Sequence, residues 1–276
     1  MLARKIKNQL FLLFVSTIML LTCIPLLLII KHILTMGASA FSLELILNTP
    51  KAVGELGGGI AHAIAGSLLI VALASLYAVP IGIIAGVFLS EFRNSKLTFP
   101  LRTALDTLAG TPSIVIGIFA YVILVVPLKS FSGLAGSVAL SLIIIPIVVK
   151  STEEILKLIP ITLREAGLAL GFSRTKVIWH ILIKCHRQAL LTGVMLALAR
   201  TMGETAPLLF TAFGNSNFTL NLRGPMASLP VQIFNYASSP HKDWQEQAWS
   251  GALVLIILVF LLSLSAKLVI SVKLKK

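Results

Sequence analysis

Arg200 stands about eleven residues into an apolar run from Ala189 to Phe213, and a charge so placed calls for a chemical reason. At 1.5 Å per residue it would lie about 16 Å deep, near the middle of a hydrocarbon core about 30 Å thick, at an insertion cost of about 2.5–3.5 kcal/mol. Ionisable groups at that depth usually face a bundle interior or a water-filled path. Glu204 follows four residues later, on the same face if the helix continues. One reading is therefore an ion pair joining helices. The other is a fixed positive charge on a path, with Glu204 positioning it, since a carboxylate would itself repel an anion. A second feature is Gly110-Thr111-Pro112-Ser113, which interrupts another apolar run. Pro112 removes a backbone hydrogen bond and frees polar groups beside the hydroxyls of Thr111 and Ser113. Amides at such a helix start favour an oxyanion, although a proline kink packed with small residues has the same pattern.

The elements that must position these groups follow from composition. The 276 residues are 57% hydrophobic and 12% charged, with mean hydropathy +0.98, which excludes the soluble enzyme classes and leaves no length for a sizeable soluble domain. Apolar runs at about Leu10 to Ile30, Ile60 to Leu89, Leu105 to Val126, Leu134 to Val149, Ala189 to Phe213 and Ala252 to Ala266 predict an all-α membrane protein of six transmembrane helices. The expected division is residues 1–56, a first helix and outer loop, and residues 57–272, a core of five helices with a loop at about 151–187. The formal charge of +13 is topological: 17 of the 23 Lys and Arg fall on one side of this arrangement. That places both termini in the cytoplasm by the positive-inside rule, and no nucleic-acid partner is expected. Thr22-Cys23-Ile24-Pro25 offers no signal-cleavage site, so the first helix should stay attached. Cys23 and Cys185 lie far apart, the five histidines have no metal-ligand spacing, and Gly57-Gly58-Gly59 lacks a P-loop ending. Neither metal nor cofactor is expected. Arg102 and Asp106 read as an interfacial i, i+4 salt bridge.

The loop after the fourth run carries helix signals. Thr162 and Glu165 form a capping box, and Leu163, Ala166, Gly167 and Leu170 recur at helical spacing before Gly171. Ser173 could cap a second piece with Val177, Ile178, Ile181 and Leu182 on one side. Pattern alone fits either a hairpin on the membrane surface or a docking site for a partner protein.

Glu165-Ala166-Gly167, Gly171 and then Ile181 resemble the EAA loop of permease subunits of ATP-binding-cassette importers, with departures at Gly167, Ile183 and Lys184. Ala199-Arg200-Thr201-Met202-Gly203-Glu204-Thr205-Ala206-Pro207, Thr111-Pro112-Ser113-Ile114-Val115-Ile116-Gly117 and Ser228-Leu229-Pro230-Val231-Gln232-Ile233 are similar to stretches of the PstA-type phosphate permeases. The resemblance implies a type I importer fold in the inner membrane and a path for phosphate involving Arg200, Glu204, Thr111 and Ser113. It also implies a coupling helix bearing Thr162, Glu165, Ala166, Gly167 and Gly171. The implied partners are a PstC-like permease, a PstB-like ATPase dimer that hydrolyses the ATP, and an extracytoplasmic phosphate-binding protein. A permease for molybdate or sulfate, an ATP-independent channel and an intramembrane enzyme are the alternatives.

Overall fold

Most long apolar runs become single helices, while the runs carrying Thr111-Pro112 and Gly203 to Pro207 break. The computed structural model describes residues 2–52, 55 and 57–272. Lys273, Lys275 and Lys276 of the basic tail, and Leu56 at the expected domain division, lie outside the described residues. In chain order the helices are α1 (Leu2–Ser39), α2 (Leu43–Leu47), α3 (Ala61–Glu91), α4 (Thr98–Gly110), α5 (Ser113–Leu128), α6 (Gly133–Lys157), α7 (Ile161–Ala169), α8 (Arg174–Cys185), α9 (Arg187–Thr201), α10 (Ala206–Thr211), α11 (Leu229–Ala237) and α12 (Lys242–Val272). No strand occurs among the described residues.

Four helices are long and apolar enough to cross a membrane, and α4 with α5 and α8 with α9 make two further, bent candidates. Six spans are reached only by counting each bent pair as one. The α3–α6 pair is the centre. A Cβ on Gly86 would lie 2.6 Å from Thr152 Cβ, and one on Gly82 would lie 2.8 Å from Val148 Cβ. Small residues four apart thus let the two backbones approach, the usual basis of helix contact where lipid removes the hydrophobic drive. Ile70, Ala74, Leu140, Ile144, Val148, Val194 and Met202 form the buried core around this crossing. By contrast α1 is exposed along nearly its whole length and is apolar on all sides, as a lipid-facing helix is. It meets α12 where Ser250 Oγ donates to the Gly37 carbonyl at 2.9 Å.

Three expectations change. The fourth run was expected to be short, but α6 runs on to Lys157: Ser132 caps its start, accepting from the Ala135 amide, and a Lys157–Glu153 ion pair at 2.6 Å supports its last turn. Pro112 does more than kink a helix, because α4 and α5 meet at 106°. Thr111 (ψ 131°) and Pro112 (φ −57°, ψ 137°) are both extended, as a residue before proline prefers, and two extended residues redirect the chain. Arg102 and Asp106 do not pair with each other. Each reaches α6 instead, Arg102 to Glu153 and Asp106 to Lys150 at 2.8 Å, because α4 packs on that helix.

Candidate functional site

The break between α4 and α5 leaves the first amides of α5 without helical acceptors, since the earliest bonds start at Val115 and Ile116, both to the Pro112 carbonyl. Thr111 donates its hydroxyl back to the Thr107 carbonyl at 2.7 Å, and Ser113 is half-buried at the first turn of α5. A matching break lies further along the chain. Helix α9 ends at Thr201, residues 202–205 turn, and α10 starts with Pro207 in its first turn. The two half-helices then pack together: a Cβ on Gly117 would come within 2.7 Å of Pro207 Cα, so α5 and α10 touch backbone to backbone.

A cavity of about 300 Å³ opens between these breaks. Thr111, Ser113, Arg200 and Glu204 all line it, with Ile143, Pro146 and Ile147 of α6 as its apolar wall. The structure therefore brings together four residues spread over 94 positions of sequence, but their mutual geometry is not that of a helical ion pair. Because α9 ends one residue after Arg200, Glu204 is not one turn further on the same face. No ion pair joins them among the described residues. Arg200 is also exposed in the isolated chain rather than buried, and no hydrogen bond among the described residues engages its side chain. An open guanidinium, a helix start and one carboxylate around an apolar wall can hold a tetrahedral or planar oxyanion by charge-assisted hydrogen bonds.

The second expected site is the α7–α8 hairpin. Its helix starts one residue before the expected capping box. Pro160 (φ −56°, ψ 141°) occupies the cap position, has fixed φ and no amide, and puts Ile161 first in the helix. Thr162 thus has helical geometry, forms no cap, and is exposed with Glu165 and Ala166. Gly171 does end the helix. At φ +81° it suits a residue without Cβ, and the amides of Gly171 and Phe172 bond the Leu168 and Gly167 carbonyls in the paired pattern of a left-handed helix stop. Ser173 caps α8 by accepting from the Lys176 amide, and Val177, Ile178 and Leu182 are buried. Gly167 is set by close approach, since its Cβ would lie 2.9 Å from both Val177 Cγ2 and Ile181 Cδ1. The face around α7 that meets no part of this chain includes Leu158 (83% exposed), Ile161, Leu168 and Leu170, an apolar surface that sequence pattern did not single out. Leu170 was expected to share one face with Leu163, Ala166 and Gly167, but of these only Gly167 is buried, and Ala166 and Leu170 are exposed.

Residues 78–272 match the family described as the binding-protein-dependent transport system inner membrane component. The chain belongs to that family. It is 44% identical to the phosphate transport system permease protein PstA of Pasteurella multocida, over 96% of this chain and 95% of that one. It is 41% identical to the protein of that name from Yersinia pestis, over 98% and 92%. A protein of Methanocaldococcus jannaschii described as a probable phosphate transport system permease protein PstA is 36% identical, over 92% of this chain and 90% of that one. Among solved structures, an inward-facing MetNI methionine ABC transporter chain superposes with TM-score 0.62 at 17% identity, over 78% of this chain and 94% of that one. An amino acid ABC transporter chain gives TM-score 0.52 at 15% identity, over 77% and 91%. The fold is accordingly that of the type I ABC-importer permeases. In this chain the exposed hairpin and the cavity are two features of one helical core, joined through α6.

Proposed function

We propose that the chain is the transmembrane permease subunit of an ATP-driven importer of inorganic phosphate and forms half of the path. The observation that carries this reading is the unpaired Arg200 guanidinium on a cavity shared with Thr111, Ser113 and the free amides of α5. Its open donors supply the two-pronged contact that phosphate favours, and they offset part of the anion's desolvation. Glu204, on the same cavity, limits how tightly an anion rests there, as release requires. Relatives 41–44% identical bear the name phosphate transport system permease protein, which supports phosphate over other oxyanions.

The cavity is open on one side, where a PstC-like permease completes it. The apolar rim of α7, with exposed Glu165 and Ala166 and the stop at Gly171, docks on a PstB-like ATPase, which hydrolyses the ATP. Lys and Arg crowd the end bearing this hairpin, so that end and both termini are cytoplasmic. At the opposite end a cleft of about 480 Å³, lined by Lys51, Glu55, Lys242, Asp243 and Glu246 among others, faces an extracytoplasmic phosphate-binding protein. ATP binding shifts the population between inward- and outward-open states, and the chain itself breaks no covalent bond.

The test is purification of the tagged chain with its co-expressed partners, followed by phosphate uptake in proteoliposomes against competing molybdate and sulfate. An ATPase should co-purify, and only unlabelled phosphate should compete. Glu165→Ala and Gly171→Val should weaken ATPase association. Uptake blocked by molybdate or sulfate would reassign the anion, and a complex without ATPase would contradict the importer reading.

A further inference from the structure

We propose that Glu91 and Arg164 form a latch that makes the α7 helix move as one body with the ends of α3 and α6, and that transport coupling depends on it. The inference rests on the reading of α7 as the ATPase-docking helix. Arg164 sits on α7 but points away from its open face. Its Nε donates to Glu91 Oε1 at 3.0 Å and its Nη2 lies 2.9 Å from the same oxygen. Nη1 donates to the Ile159 carbonyl at 2.8 Å and Nη2 to the Leu156 carbonyl at 2.7 Å. Those two carbonyls belong to the last turn of α6 and the residues just beyond it, where a helix lacks its own donors. One side chain therefore joins three elements: α7, the last residue of α3 and the end of α6. Both charged partners are well shielded, at 18% and 6% exposure.

The other arm of the hairpin holds the same point. Arg174 of α8 donates to the Glu91 carbonyl, and its guanidinium lies 4.5 Å from the centre of the Phe92 ring. Beneath these contacts Val87, Leu156, Ile159, Val177, Ile178 and Leu182 form a buried cluster drawn from α3, α6 and the hairpin. Displacing α7 must then displace the ends of α3 and α6, unless the Glu91–Arg164 contacts break. Helix α6 runs without interruption from there to Ile143, Pro146 and Ile147 on the cavity wall. From Leu156 to Pro146 is about 15 Å along the axis at 1.5 Å per residue. A displacement of the hairpin thus reaches the cavity through one continuous helix. Arg164 is a positioning residue: each of its three nitrogens is engaged within the fold, and its side chain is largely enclosed. Lysine would keep the charge, but its compact head lacks the planar fork around which these acceptors are set.

The experiment uses the complete transporter, with its second permease, ATPase and binding protein, in proteoliposomes. Phosphate taken up per ATP hydrolysed is measured per assembled complex for wild type, Arg164→Lys and Glu91→Gln. Labels at Lys176 on the second helix of the hairpin and Ile84 on α3, both exposed and outside the docking face, report the distance between hairpin and core. The expected result is a fall in uptake per ATP of about 5-fold or more in both variants, the lower end of common coupling strengths. The Lys176–Ile84 distance should be narrow in wild type with and without ATP, and broad in the variants. Unchanged uptake per ATP in either variant overturns the latch, as does loss of complex from the membrane with normal coupling in what remains. A wild-type chain that recruits no ATPase removes the docking reading, and the latch with it, before any variant is made.

Discussion

Two arginines separated by 36 positions show how differently one chain uses the same side chain. Arg164 meets a carboxylate and two carbonyls on neighbouring elements, and is largely enclosed. Arg200 meets no acceptor among the described residues, and is exposed on the cavity that also holds Glu204. A structural arginine engages each of its nitrogens within the fold. An arginine whose donors remain open, on a helix end beside free amides, is arranged for something that arrives from outside. The hairpin and the cavity differ accordingly: one is held by its polar groups, the other presents them.

The widest separation between the two regions should be in stability. Arg164→Ala leaves the Glu91 carboxylate shielded and unpaired, and should cost about 3–5 kcal/mol, seen as loss of assembled protein and a lower Tm in detergent. Arg200→Ala should stay within about 0.5 kcal/mol by the same assay, as a surface change does. Equal losses would erase the comparison. A smaller effect tests the packing of α5 on α10: Gly117→Val drives a side chain into the Pro207 backbone and should cost about 1–3 kcal/mol by overpacking. Smaller again is the contrast within the hairpin. Ser173→Ala removes a formed cap and should cost about 1 kcal/mol, whereas Thr162→Ala removes none and should be within about 0.5 kcal/mol. A larger loss at Thr162 would mean that the capping box forms in solution.

The cavity residues were legible because ionisable and hydroxyl side chains stand out within apolar runs. Their arrangement was less so. Glu204 read as one turn beyond Arg200 only while the helix was assumed to continue, and Gly203 with Pro207 was the available signal that it does not. The stop at Gly171 and the cap at Ser173 were readable because each acts within a few residues. Thr162 misled because Pro160, two residues earlier, is the stronger local constraint on where the helix starts. Arg102 and Asp106 looked paired by spacing, yet helix packing offered each a partner on α6. Glu91 and Arg164 could not have been matched, since 73 positions separate them and neither has a local motif.

The account stands most directly on Arg200 as an anion-binding residue, with Glu204 as its control. In proteoliposomes containing equal amounts of complex, Arg200→Gln should lower phosphate uptake by more than about 30-fold, the equivalent of about 2 kcal/mol at the low end for losing one partner of a charged hydrogen-bonded contact. Arg200→Lys should rescue only part of it, because the forked donor is lost. The double variant Arg200→Gln, Glu204→Gln should remain as inactive as Arg200→Gln alone. Full uptake by the double variant at normal complex levels would contradict the account and return the two residues to a balanced pair of charges.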